Sequence, residues 1–355
     1  MELEELLQSI PDIDEKAENA ARKRQQELTK PRGSLGKLES LSIQIAGITA
    51  QPTPRVDQKV VFVLAGDHGV ATEGVSAYPP EVTAQMMLNF LHGGAAINVL
   101  ARQVGAKVVI VDMGVAVDLP DHPDLVIKKI GHATHNITLE AAMTRAQAIA
   151  AILTGAELAR SEITNGAQAI ATGEMGIGNT TPAAAIMAAL EAAPLEICVG
   201  RGTGLDEEGL KRKRNVVERA LQVNQPNPKD GLDVLSKLGG FEIAGLVGVI
   251  LGGASMRVPV VLDGFITCAA AMIAVTLQPR VRNFLIASHR SQEQGHQKML
   301  EWLGLQPLFD LGLRLGEGSG AALGLFILDA ACKILSEMAT FSEAGVTDKD
   351  DLSHG

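Results

Sequence analysis

Short runs that are apolar at nearly every position, separated by longer stretches of helical pattern, constrain this chain more than any other feature. The runs are 60–64 (VVFVL), 107–112 (KVVIVD), 125–130, 167–171 (AQAIA), 197–199, 258–262 (VPVVL) and 284–287. Helical patterns fill 80–104, 139–164, 206–221 and 264–277 between them. A strand with one wet face alternates apolar and polar residues, whereas a strand that is apolar throughout has both faces covered. Strands of the second kind, alternating with helices, predict an α/β fold with a mostly parallel sheet and helices on both faces. Ahead of the first run, 13–29 and 37–50 read as two helices that end at QPTPR (51–55), a proline-marked domain boundary.

The chain has 355 residues, enough for one large domain with a smaller attachment. Aromatic residues make up only 3% and glycines number 37, a composition suited to close approach of helices to a sheet. The formal charge of −10 argues against nucleic acid as the main partner, so any phosphate site must use backbone N–H groups and a few placed cations. Cys198, Cys268 and Cys332 are isolated from one another and read as reduced core residues. The start, MELEELLQSI, lacks a signal-peptide pattern, and the apolar runs 243–256 and 264–277 are too short and glycine-broken to span a bilayer. The expectation is a cytoplasmic protein with no membrane span.

In a parallel sheet, ligands bind beyond the carboxyl ends of the strands, and the glycine-rich loops of this chain fall there. TGEMGIGNTTP (172–182) follows one apolar run and opens an alanine-rich helix. Thr180 or Thr181 can cap that helix, with Pro182 in its first turn. Free N–H groups at a helix start favour phosphate, and Gly173, Gly176 and Gly178 allow close approach. Glu174 would repel a phosphate, so its presence implies a ligand that also carries positive charge. GRGTG (200–204) reads as a second loop between a strand and a helix, followed by the basic run 211–214, of which one member can turn inward. Glu317, flanked by Gly316 and Gly318 and followed by Ser319 as a helix cap, suits a carboxylate that faces a ligand closely. Tyr78 is placed to stack on a planar ligand, with the Gln85 amide two helical turns later.

Other patterns are missing. Asp67, His68 and His92 do not fall at metal-ligand spacings, so no metal is expected. Ser288 and His289 are adjacent, a spacing at which side chains seldom face each other, and no Gly-x-Ser-x-Gly elbow is present. No dinucleotide fingerprint follows the first run, and the acidic pair Asp350–Asp351 lies in the acidic tail 347–355 rather than at a strand end.

Taken together, KPRGSLGKLE (30–39), AGDHGV (65–70), EGVSAYPPEVTAQM (73–86), TGEMGIGNTTPAAA (172–185), GRGTGLD (200–206), LDGF (262–265), SHRSQEQGH (288–296) and LRLGEGSGAAL (313–323) give a specific resemblance. The chain resembles the nicotinate-nucleotide–dimethylbenzimidazole phosphoribosyltransferase family nearly end to end. The resemblance implies transfer of 5-phosphoribose from nicotinate mononucleotide to 5,6-dimethylbenzimidazole, with no cofactor, by a homodimer. It implies a Rossmann-like domain at 56–300. A small helical domain, built from 1–55 and part of 301–355, would reach over the partner's site. By residue matching, Glu317 would be the general base, while Glu174, Gly176 and Lys213 would hold the phosphoribosyl group. Tyr78 and Gln85 would line the base pocket. Gly178, Asn179, Thr180, Gly202, Ser291 and Leu315 would complete the substrate contacts. Ala77 stands where some relatives carry a hydroxyl residue. The residues alone leave open another acceptor base, a non-catalytic nucleotide-binding module or a metal-dependent hydrolase.

Overall fold

The computed structural model describes residues 1–191 and 193–347. Six strands, β1 (Lys59–Gly66), β2 (Ala106–Gly114), β3 (Leu125–Ile127), β4 (Ala169–Met175), β5 (Val260–Leu262) and β6 (Leu285–Ala287), form one sheet in the order β3-β2-β1-β4-β5-β6. Every pairing is parallel. Strand order reverses between β1 and β4, which makes the crevice beyond their carboxyl ends the topological switch point. Glu174 sits in that crevice, in register with Leu64 of β1.

Both faces of the sheet are buried, and β1 shows why its sequence is apolar throughout. Val60, Phe62 and Leu64 join one core cluster, while Val61, Val63 and Ala65 join the other. The first face is covered chiefly by helices Arg145–Thr164, Thr180–Glu191, Phe241–Ser255 and Phe265–Leu277, the second by Lys37–Thr49, Val82–Leu91, Ala96–Val104 and Ser319–Glu337. Glycine is used most intensively between helices Arg145–Thr164 and Phe241–Ser255. A Cβ added at Gly155 would overlap the Gly245 carbonyl, and one at Gly248 would overlap that of Ile152. On the sheet side of the same helix, Cβ atoms at Gly245 and Gly253 would strike Leu64 and Ile170. The glycines therefore serve helix–helix contact as much as helix–sheet contact.

The structure revises several expectations. Residues 197–199 are not a strand: Pro194 caps a helical turn, Leu195–Cys198. An isolated apolar tripeptide cannot be told from a buried helical turn by pattern alone. The stretch 80–104 divides at Gly93, whose φ of +74° ends helix Val82–Leu91 before Ala96–Val104 begins. The 139–164 helix starts only at Arg145, behind a Thr144–Gln147 capping box. The strand expected at 258–262 shortens to Val260–Leu262, after Pro259, which has no N–H for the ladder. All three cysteines are buried and free.

Ser319–Glu337 is long and apolar enough to cross a membrane by length and composition. It instead lies on the sheet, with Leu325, Leu328, Ala331 and Leu335 fully buried and a Gly324 Cβ position 2.9 Å from Val261 Cγ1. Asp329 on this helix pairs with Lys59 at the start of β1 (3.1 Å). Residues 348–355, with the acidic pair Asp350–Asp351, lie outside the described residues.

Candidate active site

Buried carboxylates crowd the switch point. Glu174, at the end of β4, is 5% exposed, and its Oε2 accepts a hydrogen bond from the Asn179 side-chain amide. Burial pushes Glu174 up to about 8, opposed by the Asn179 bond and reinforced by the charges of Asp263, Glu242 and Glu317. Asp263 follows β5 and is fully enclosed. Its Oδ1 accepts from the N–H groups of Gly320 (2.7 Å) and Ala321 (3.0 Å), and its Oδ2 from that of Gly318 (3.2 Å). Burial raises Asp263 to about 7 against these donors.

Glu317 sits on a turn in which Gly316, Glu317 and Gly318 all have positive φ (86°, 64° and 91°). For a non-glycine residue this region is strained. The turn rests on β4: a Cβ at Gly173 would overlap the Glu317 carbonyl, and one at Gly316 would overlap Glu174 Oε1. Glu317 Oε2 accepts from the Ile97 N–H (3.2 Å) at the start of helix Ala96–Val104. Burial raises its pKa, and this single bond opposes the rise without cancelling it. The turn thus places Glu317 beside Glu174 as a carboxylate with strengthened basicity.

Positive charge gathers at the other end. Lys213 is fully buried on helix Glu207–Asn224, and its Nζ donates to Thr180 Oγ1 (2.7 Å). Gly202 closes over the pair, its Cβ position 3.1 Å from Lys213 Nζ and 2.9 Å from Thr180 Oγ1. Burial lowers Lys213 to about 8, with Glu293 pulling the other way. Among the described residues no carboxylate lies within ion-pair distance of this ammonium.

Several of the sequence-derived residues converge, with differences in detail. Thr203 Oγ1 meets Ser76 Oγ (3.2 Å) and accepts from the Ala77 N–H (3.0 Å), and Arg314 donates to the Gly202 carbonyl (3.4 Å). These contacts bring the Tyr78, Gly202 and Leu315 segments together around one mouth. Tyr78 and Leu315 are 56% and 57% exposed there, and Gln85 is also exposed. Ser291 is buried, its N–H donating to His296 Nδ1 (2.8 Å). The 200–204 loop follows the Leu195–Cys198 helical turn, not a strand.

Helix Thr180–Glu191 begins at Thr180, so neither Thr180 nor Thr181 is its cap; Thr180 faces Lys213 instead. The loop glycines answer to internal contacts. A Cβ at Gly176 would overlap the Gly66 carbonyl, and Gly178 has φ +88°. Ser288 and His289 do meet despite their adjacency (Oγ to Nδ1, 3.1 Å), but the serine is buried and its hydroxyl also lies 3.3 Å from the Asp263 carbonyl.

Glu242 has a partner that sequence reasoning missed: its Oε1 lies 2.7 Å from His68 Nε2, with both side chains enclosed. Burial, the largest single influence, disfavours the imidazolium, yet the charge and hydrogen bond of Glu242 together with the charge of Asp67 raise His68 on balance. Their partnership joins residues far apart in the chain, so no local pattern announces it. Among the described residues no group of three or more His, Cys, Asp or Glu side chains is arranged to hold a metal ion.

A concavity of about 620 Å³ is lined by Leu195, Lys211, Arg214 and Glu218 and shares no residue with the carboxylates of the switch point. Charge pattern and topology, rather than volume, make the switch point the candidate site.

A phosphoribosyltransferase family profile matches residues 10–346. The chain is 57% identical over 347 residues to the nicotinate-nucleotide–dimethylbenzimidazole phosphoribosyltransferase of Roseiflexus sp. (strain RS-1), covering 98% of each. It is 58% identical over 343 residues to that of Chloroflexus aurantiacus (strain ATCC 29366 / DSM 635 / J-10-fl), covering 97% of this chain and 98% of the relative. The crystal structure of the Thermus thermophilus enzyme of the same name superposes with a TM-score of 0.90 at 46% identity, covering 95% of this chain and all of the other. With fold, motifs and full-length similarity in agreement, the chain belongs to the nicotinate-nucleotide–dimethylbenzimidazole phosphoribosyltransferase family.

Proposed function

We propose that this chain transfers the 5-phosphoribosyl group of nicotinate mononucleotide to 5,6-dimethylbenzimidazole, giving nicotinate and α-ribazole 5′-phosphate. The observation that carries the reading is a two-ended site. At one end lies a buried lysine with no ion-pair partner among the described residues, and at the other Glu174 and Glu317 lie side by side. Such a site fits a ligand with an anionic phosphate and a centre that is, or becomes, cationic.

The phosphate is assigned to Lys213, Thr180 and Gly202, with Gly176 and Gly178 shaping the turn that leads into the helix. In nicotinate mononucleotide the ring nitrogen is quaternary. The C1′–N bond breaks with its electron pair going to that nitrogen, so nicotinate leaves without a general acid. Glu174, held by Asn179, stabilises the positive charge that develops on the ribose. The benzimidazole nitrogen lone pair attacks C1′ from the opposite face, which inverts β to α, and the other ring nitrogen gives its proton to Glu317. Tyr78, Gln85, Ser291 and Leu315 line the acceptor side.

We further read the protein as a cytoplasmic homodimer without a membrane span. Exposure of Tyr78 and Leu315 at the mouth supports a second copy as the missing wall. The small core of Ala21, Ile43, Ala46 and Leu335 supports a helical unit made from 1–55 and the C-terminal helices.

Mixing the protein with nicotinate mononucleotide and dimethylbenzimidazole and identifying products by chromatography and NMR tests the reading. Nicotinate and an α-linked nucleotide in equal amounts are expected. Ribose 5-phosphate as the sole sugar product, or no nicotinate with any base, contradicts it.

A further inference from the structure

We infer that Asp263 is a positioning residue that holds Glu317 in its catalytic place by capping the helix behind it. The inference rests on the catalytic reading of Glu317. Ser319–Glu337 begins after Gly318 with no side-chain cap of its own, so its first N–H groups need acceptors from elsewhere. Asp263, on a separate strand end, supplies them: both carboxylate oxygens bond to backbone N–H groups of Gly318, Gly320 and Ala321. Gly318 is the residue immediately after Glu317, so the Oδ2 bond fixes the end of the left-handed Gly316–Glu317–Gly318 turn.

Asp263 is itself anchored on both sides. Its N–H points to Thr172 Oγ1 of β4 (3.4 Å), and its carbonyl accepts from Ser288 Oγ after β6 (3.3 Å). Thr172 Oγ1 lies 3.3 Å from the Val261 carbonyl of β5. The position of Glu317 is thus referred to the sheet through one carboxylate. The Glu317 side chain has a single bond of its own, to Ile97 N–H, so the turn depends on Asp263 for orientation. With both oxygens committed to backbone donors and 2% exposure, Asp263 acts through Glu317 rather than on substrate.

Asp263→Asn places an amide donor against one of these N–H groups while keeping the side-chain shape. The expected result is a fall in kcat of about tenfold or more, with the KM for nicotinate mononucleotide within about twofold of wild type. In a Glu317→Gln background the same change adds no further loss. Hydrogen exchange at residues 316–322 speeds up in both backgrounds.

Wild-type kcat in Asp263→Asn, multiplying losses in the double variant, or unchanged exchange would each overturn the inference. If Glu317→Gln alone is fully active, the catalytic reading of Glu317 fails, while the exchange measurement still reports whether Asp263 holds the turn. Asp263→Ser removes the carboxylate without adding an amide and gives a second reading. Failure of both variants to fold makes Asp263 a general structural residue and overturns its positioning role.

Discussion

The acidic and basic ends of the site are secured in opposite ways. Each carboxylate has a donor from within the chain: the Asn179 amide for Glu174, three backbone N–H groups for Asp263 and the Ile97 N–H for Glu317. Among the described residues, the Lys213 ammonium has only the Thr180 hydroxyl. Glu293 acts on it only from beyond ion-pair distance, and a buried charge so weakly compensated is unfavourable unless a ligand supplies a closer partner. On the proposed reading, the acidic end is preorganised for a developing cation, and the basic end is left for an anion.

Substitution separates these two roles. Glu317→Gln is expected to lower kcat by about 10²-fold or more, because a general base contributes on that scale, with little change in the KM for nicotinate mononucleotide. Near-wild-type turnover in steady-state assays removes Glu317 from the base role. Lys213→Met is expected to raise the KM for nicotinate mononucleotide about 10–100-fold with a smaller effect on kcat, as for loss of a charge-assisted phosphate contact. If the lysine variant lost only kcat and the glutamate variant lost only KM, the division between the ends would collapse.

Two smaller effects follow from Glu174, which burial raises to about 8 from the usual 4.5. A raised carboxylate binds more protons folded than unfolded, so its stabilising contribution is complete below about pH 4.5 and is lost as pH rises through about 8. Glu174→Gln stays neutral. Its melting temperature at pH 8 should exceed that of wild type by a few degrees, a gap that closes by pH 5; parallel melting curves across this range would count against the buried acid. A cationic ligand favours the ionised form. Binding of nicotinate mononucleotide near pH 7.5 should therefore release up to about one proton, measured by calorimetry in buffers of different ionisation heat. Absence of release in wild type, or its persistence in Glu174→Gln, would detach Glu174 from the cation.

The same contrast shows what the sequence reveals and what it hides. Runs such as VVFVL declare a strand buried on both faces, and β1 is one. The three residues of 197–199 are too few for that argument and fold as a helical turn after Pro194. Glu317 was legible because two glycines flank it, and its positive φ explains that need. The glycines of the 172–182 loop were also legible as special, but for a different reason: Gly173 and Gly176 make room for the Glu317 and Gly66 carbonyls. Among the four basic residues at 211–214, Lys213 is the one turned inward, a distinction set by which side of its helix meets the Thr180 turn. The role of Asp263 is hidden within LDGF (262–265), because its partners are backbone groups more than fifty residues away. The His68–Glu242 pair leaves no local trace for the same reason.

A structure of the protein with nicotinate mononucleotide bound tests the two-ended site most directly. The phosphate is expected within hydrogen-bond distance of Lys213 Nζ and Thr180 Oγ1, with C1′ facing Glu174. A phosphate seated elsewhere, such as the concavity beside Lys211 and Arg214, or a nucleotide turned so that its ring meets Lys213, would contradict it.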